Sequence, residues 1–177
     1  HERLAFSLGS DFSNALGKSF KCLLLNPFSK ARIYMDLLKL YVLYSRFISN
    51  EIQANPKYAL NHYIVKKIRS VKKEVVNLMI TIIEKSNNVN VIAENFITPL
   101  LDILQDYCNN IPEAREPEVL TLFATAVEKL KGAIAHLVPK ILEDVFAATL
   151  VMITTDFNSN MDHRVNLFKL LLAITEN

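Results

Sequence analysis

Few residues in this 177-residue chain stand at spacings that could do chemistry. Gly17-Lys18-Ser19 has the ending of a phosphate-binding loop, in which backbone amides cradle phosphate and the lysine reaches its outer oxygens. The earlier glycine of that loop should stand at position 12, where the chain has Phe12, and Gly9 is too far back. No strand pattern leads into it, so the nest of amides is not specified. Ser70 and Lys73 have a Ser-x-x-Lys spacing, without the companion motifs of the serine enzymes that use it. His1, His62, His136 and His163 have no second histidine or cysteine at ligand spacing, and no Glu-x-x-His pair is present. Cys22 and Cys108 lack a CxxC partner and read as small core residues, with nothing nearby to activate a thiol. Asp102 and Asp106, four residues apart, would share a proton if buried together, but read as a solvated helix face. The expectation is therefore no catalytic residue, no metal, no cofactor and no enzyme.

The remaining polar signals suit recognition. Lys66, Lys67, Arg69, Lys72 and Lys73 form the sharpest basic stretch. Lys66, Arg69 and Lys73 stand at i, i+3 and i+7, one stripe of a helix, and should face solvent. The stripe reads either as a solvated face beside the core or as a patch for an acidic protein. Nucleic acid suits it less well, because no aromatic platform is interleaved with the cations. Arg115 lies among Glu113, Glu116 and Glu118. It either pairs locally within a linker or offers a bidentate fork to a partner's carboxylate. Lys66, Arg69, Lys73 and Arg115 are thus the candidate partner-binding residues.

The elements that must carry these residues are helical. Apolar positions three and four apart recur over Arg32–Ile52, Ile64–Lys85, Val91–Tyr107, Glu118–Leu130, Leu137–Thr154 and Arg164–Ile174. A less regular helix is expected over Leu4–Leu24. In the second stretch the core-facing line is expected to be Ile64, Ile68, Val71 and Val75. Asn26-Pro27 and Asn55-Pro56 should end helices, because proline lacks an amide donor and biases its predecessor away from α. Glu116-Pro117-Glu118 reads as a helix start and Gly132 as a C-cap. Pro99 should bend or break its helix near Phe96, or mark a start near Thr98. The pairs read as Ile64–Lys85 with Val91–Tyr107 and Pro117–Lys131 with Leu137–Thr154. Two helices per 45 to 50 residues or so is the size class of HEAT-type hairpins. A closed bundle has the same local pattern.

Composition sets the outer bounds. The chain is 51% hydrophobic with a net charge of +2, which excludes disorder as its main state. Three glycines argue against a nucleotide-binding α/β fold or a propeller. The longest apolar runs, Leu40–Tyr44 and Leu170–Ile174, are far short of a membrane span. Two cysteines point to a reducing compartment. Basic residues gather in the first 75 positions and acidic ones after them. The ends look cut, as in a piece of a longer protein.

Two segments carry a resemblance. Val91-Ile-Ala-Glu-Asn-Phe-Ile-Thr-Pro-Leu-Leu-Asp102 and Ile111-Pro-Glu-Ala-Arg-Glu-Pro-Glu-Val-Leu120 resemble the C-terminal region of exportin-1-type nuclear export receptors, in the importin-beta/karyopherin family. Arg32–Leu38, Ile68–Glu74, Asp156-Phe157 and His163-Arg164 are similar to adjoining segments, in the same order. The first 30 residues match less clearly. The resemblance implies an all-α superhelix, a solenoid of HEAT-type helical hairpins, with about three hairpins and a partial one over 1–177. It implies a scaffold segment of a receptor that shuttles between nucleus and cytoplasm through the nuclear pore. The partners it implies for the whole receptor are Ran-GTP, cargo with leucine-rich export signals, and Phe-Gly nucleoporins. It places the export-signal groove outside this chain and leaves GTP hydrolysis to Ran. The competing reading is a HEAT-repeat protein-protein adaptor not tied to export.

Overall fold

A computed structural model describes residues 27–55 and 61–177, with side chains from residue 35 onward. The helix expected over Leu4–Leu24, with Cys22 and Gly17-Lys18-Ser19, lies outside the described residues, as does the side chain of Tyr34. The fold is all-α. Helix α1 spans Pro27–Ala54, α2 Tyr63–Lys85, α3 Val89–Asn109 and α4 Glu118–Leu130. Residues 138–155 form α5, which begins as Val138–Lys140, continues through a π-helical stretch Ile141–Phe146 and ends as Ala147–Thr155. Helix α6 spans Met161–Glu176. Among the described residues, no helix is long and apolar enough to cross a membrane.

Packing pairs α1 with α2, α3 with α4 and α5 with α6. The three hairpins stack so that α1, α3 and the π-helical part of α5 form one layer. Helices α2, α4 and α6 form the other, with α4 against α6 the most extensive contact. This is the stacked-hairpin arrangement of a HEAT-type solenoid. It shifts the expected pairing by one helix. Helices α2 and α3, joined by Ser86-Asn87-Asn88, belong to successive hairpins, and α4 pairs back to α3 rather than forward to α5. Apolar periodicity says that a helix has a buried face; it does not say which neighbour fills it.

Local boundaries follow from backbone chemistry, with some departures from expectation. Pro27 opens α1, which suits a residue with no amide to satisfy in a first turn, while the element expected before Asn26 lies outside the described residues. Asn88 caps α3, its side chain accepting the Val91 amide at 3.2 Å. Helix α3 runs unbroken through Pro99, so neither a break near Phe96 nor a start near Thr98 occurs. Pro99 is buried in the interface, where packing offsets part of the cost of the donor it lacks. After α4 the positive φ of 45° falls on Lys131, one residue before the expected C-cap Gly132. The chain then passes through two 3-10 turns, Lys131–Ala133 and Ala135–Leu137. The α5–α6 turn is held by the Ser159 amide on Asp156 Oδ1 at 3.1 Å and by Arg164 stacked 3.8 Å from the Phe157 ring centre.

The main core joins all three hairpins, with Tyr41, Met79, Phe96, Leu104, Phe123 and Leu170 each no more than 1% exposed. Burying a side chain of this size contributes roughly 1.5–3 kcal/mol. The buried line of α2 is Val65, Lys72, Val75, Val76, Met79, Ile82 and Ile83. Ile64 is exposed, while Ile68 and Val71 are half-buried. The expected apolar line is therefore rotated toward the adjacent positions, and a lysine stands in the middle of it.

Candidate functional site

Arg69, Lys73 and Arg115, three of the four residues singled out in the sequence, meet at the linker between α3 and α4, residues 110–118. A single 3-10 turn, Pro112–Ala114, shapes it. Side chains from α2 and α6 satisfy two of its carbonyls, those of Ala114 and Pro117.

Helix α2 supplies three cations. Arg69 Nε donates to Glu116 Oε1 at 2.9 Å, with a longer contact of 3.5 Å from Nη2 to Oε2. Lys73 pairs with Glu118 at 2.5 Å. Between them Lys72 points inward and donates to the Ala114 carbonyl at 2.9 Å. Its ammonium lies 4.7 Å from the centre of the Tyr41 ring. Burial pushes the Lys72 pKa down, while Glu116 and Asp106 pull it back up. Lys66 is exposed and makes no such tie. The expected stripe of Lys66, Arg69 and Lys73 is thus divided: the first meets solvent, and the other two hold linker carboxylates.

Arg115 sits on the other side of the linker. Its guanidinium donates to the carbonyls of Tyr107 at 3.0 Å, Ala148 at 3.2 Å and Cys108 at 3.3 Å, and lies over the Tyr107 ring. Those carbonyls are in the last turn of α3 and in α5, so one side chain joins the second hairpin to the third. The local partners are carbonyl oxygens, not the neighbouring carboxylates that the sequence suggests. Nearby, Thr149 donates its only hydroxyl proton to the Val145 carbonyl at 2.7 Å. The Tyr107 hydroxyl, 2.9 Å from Thr149 Oγ1, must therefore be the donor of that bond. Burial pushes the Tyr107 pKa up to about 12.

Helix α6 completes the enclosure. Asn166 donates to the Pro117 carbonyl at 3.0 Å. His163, one turn earlier, is buried against the backbone of Arg115 and faces Glu118 and Arg69, with Asp162 beside it. Burial holds its pKa below the usual histidine range. His62 is half-buried and His136 exposed.

A second polar group lies beneath Lys72. Asp102 is exposed as expected, but Asp106 turns its carboxyl inward beside Ser45 and Tyr41. Burial pushes its pKa up, opposed by the Ser45 hydroxyl, Lys72, Asn110 and the Tyr41 hydroxyl. Ser49 also bonds to Asn110 at the start of the linker. Sequence reasoning missed Lys72, Asp106 and His163 as parts of one arrangement. The available signal was Lys72 falling on the same helical line as Val65, Val75 and Val76.

Chemically, the arrangement fixes a linker. Beside it, Cys108 is half-buried and its thiol is pushed up by burial. Among the described residues, no three His, Cys, Asp or Glu side chains gather as metal ligands.

Comparison with known proteins gives a consistent pattern. Residues 31–177 match the family model described as CRM1 C terminal. The chain is 46% identical over 148 residues to exportin-1 of Dictyostelium discoideum, covering 83% of this chain and 14% of that protein. It is 43% identical over 143 residues to the protein exportin 1B of Arabidopsis thaliana, covering 80% of this chain and 13% of that protein. It is 41% identical over 145 residues to exportin-1 of Drosophila melanogaster, covering 81% and 14% respectively. The chain therefore spans 13 to 14% of the length of these relatives.

Proposed function

The chain belongs to the CRM1 C-terminal family, and from that premise we propose that it is a C-terminal HEAT-repeat segment of an exportin-1-type nuclear export receptor. The observation that carries this reading is the extent of the match, which runs through all three described hairpins from residue 31 to residue 177. In this reading residues 1–177 form about three hairpins and a partial one within a longer solenoid. The complete receptor would shuttle between nucleus and cytoplasm through the nuclear pore. It would carry cargo with leucine-rich export signals together with Ran-GTP, and touch Phe-Gly nucleoporins on the way.

The segment's own work is mechanical. Each hairpin buries one face on the next, so its stacking fixes the path of the solenoid on either side. The linker 110–118 supports that role, because it ties α2, α3, α5 and α6 to one another by directional bonds. Lys66, Arg69, Lys73 and Arg115 remain the proposed partner-facing residues. Lys66 is exposed and has no carboxylate partner in the linker, while partner access to Arg69 and Lys73 competes with Glu116 and Glu118.

A chimera tests the reading. The matching segment of the Dictyostelium exportin-1 is replaced by residues 31–177, and export of a fluorescent reporter with a leucine-rich signal is followed in cells. The expected result is nuclear exclusion of the reporter at the level of the parent receptor. Nuclear retention of the reporter by a stably accumulated chimera overturns the proposal. Titrating a labelled export-signal peptide into the isolated chain should give no saturable binding.

A further inference from the structure

The apolar interior is not continuous. Ile48, Ile52, Val65 and Ala114 form a small cluster of their own, with the half-buried Ile68 and Ile111 packed on it. The remaining core residues of α1 and α2 belong to the main cluster. Along each element the two clusters are separated by polar groups. On α1, Leu37, Leu38 and Tyr41 belong to the main core, Ser45 follows, and Ile48 and Ile52 belong to the small cluster, with Ser49 between them. On α2, Val65 and Ile68 belong to the small cluster, Arg69 and Lys72 follow, and Val75 and Val76 return to the main core. Between α3 and the linker, Asp106 and Asn110 precede Ile111 and Ala114, and Glu116 closes the belt.

The belt is only partly satisfied. The Tyr41 hydroxyl, the Ser45 hydroxyl and Asp106 Oδ2 lie beside one another, yet none forms a hydrogen bond of standard geometry. Buried polar atoms in that state carry a desolvation cost that water would relieve. Arg69 and Lys73 bond to the linker through groups that are 32% and 49% exposed, which salt screens. Breaking the belt and the small cluster thus forfeits little apolar burial and rehydrates several groups.

We infer that this belt is a joint: the end of α1, the start of α2 and the linker turn at Ile111–Ala114 open together while the main core of the three hairpins stays folded. Such an opening frees the tip of the first hairpin, where α1 ends and α2 begins, while the rest of that hairpin stays packed on the second. Proteins open in cooperative units of this kind when a region has few apolar contacts of its own.

Native-state hydrogen exchange on the whole chain tests it. The Ile52 and Ile68 amides report the joint, and the Ile103 and Phe123 amides report the main core. The joint amides should exchange through an opening with a much weaker urea dependence than the core amides, because less surface is exposed. Raising salt from about 0.05 to about 0.5 M should speed the joint amides by about fivefold, as expected for loss of two partly exposed ion pairs. Leu170→Ala, which weakens α6 outside the joint, should speed the core amides by about a hundredfold. It should leave the joint amides unchanged, since the opened state keeps α6 packed. A shared urea dependence in the unaltered chain overturns the inference, whether or not the variant folds. So does equal acceleration of both sets in Leu170→Ala, or joint exchange that ignores salt.

Discussion

At the residue scale, two side chains of the linker region carry distinct energetic roles. Arg115 satisfies three carbonyls that lie in two helices. Hydrogen bonds from a charged donor contribute more than neutral ones, so Arg115→Met should destabilise the chain by about 3 kcal/mol in urea unfolding. Arg115→Lys should recover less than half of that, because an ammonium cannot span the fork of a guanidinium. His163 sets a pH dependence. Its folded pKa is depressed, first by burial, against an unfolded value of about 6.5. The folded state therefore binds the proton less readily than the unfolded state. The contribution is fully present above the unfolded pKa and is lost as pH falls from about 6.5 through the folded pKa. Asp106, whose pKa is raised, acts in the opposite sense, so the comparison that isolates His163 is with His163→Gln. The difference in urea midpoint between the two proteins should change steadily between about pH 7 and 5, in the direction of relative gain for His163→Gln at the acid end.

At the element scale, α3 contains a conflict that tertiary packing resolves. Pro99 leaves the Asn95 carbonyl without its i+4 donor, yet the helix is continuous from Val89 to Asn109. The Asn95 side chain meanwhile donates to the Val91 carbonyl at 2.7 Å. Proline in a helix interior costs about 3 kcal/mol relative to alanine. The ring buried in the interface returns about 1–2 kcal/mol of that. Pro99→Ala should therefore stabilise the chain by about 1 kcal/mol, read as a higher thermal midpoint with unchanged helix content. The π-helical stretch Ile141–Phe146 in α5 is a comparable departure. It adjoins Ala148, whose carbonyl accepts Arg115, and Thr149, which meets Tyr107.

At the scale of the whole molecule, the unpaired side of α6 is apolar. Met161, Val165, Phe168 and Leu172 are each exposed and stand at i, i+4, i+7 and i+11, a continuous stripe. The opposite side of the helix, with His163, Leu167, Leu170 and Ala173, is buried. A helix apolar on both sides has two faces to cover, which is why its amphipathic signal is weak. The isolated chain should self-associate through this stripe. Sedimentation velocity should show a mass that rises with concentration, and Phe168→Glu should reduce that rise without loss of helical signal.

Helix existence was legible from residues alone, because periodic burial writes itself into a chain at three- and four-residue spacing. Glu118–Leu130 was readable to the residue, since Glu116-Pro117-Glu118 marks a start and Lys129 a last turn. The motifs around Ala114-Arg115-Glu116 also pointed to the family. Partnership between helices was not legible. Short linkers on both sides of α3 allowed it to pair either way, and only the three-dimensional fit of side chains chose α4. The fate of the charges was likewise undecided. Lys66, Lys72 and Lys73 have the same chemistry in sequence, yet one meets solvent, one a buried carbonyl and one a carboxylate. Solvation depends on what lies within a few ångströms in space, and for Lys72 those neighbours come from Tyr41, Asp106, Ala114 and Glu116, far from it along the chain.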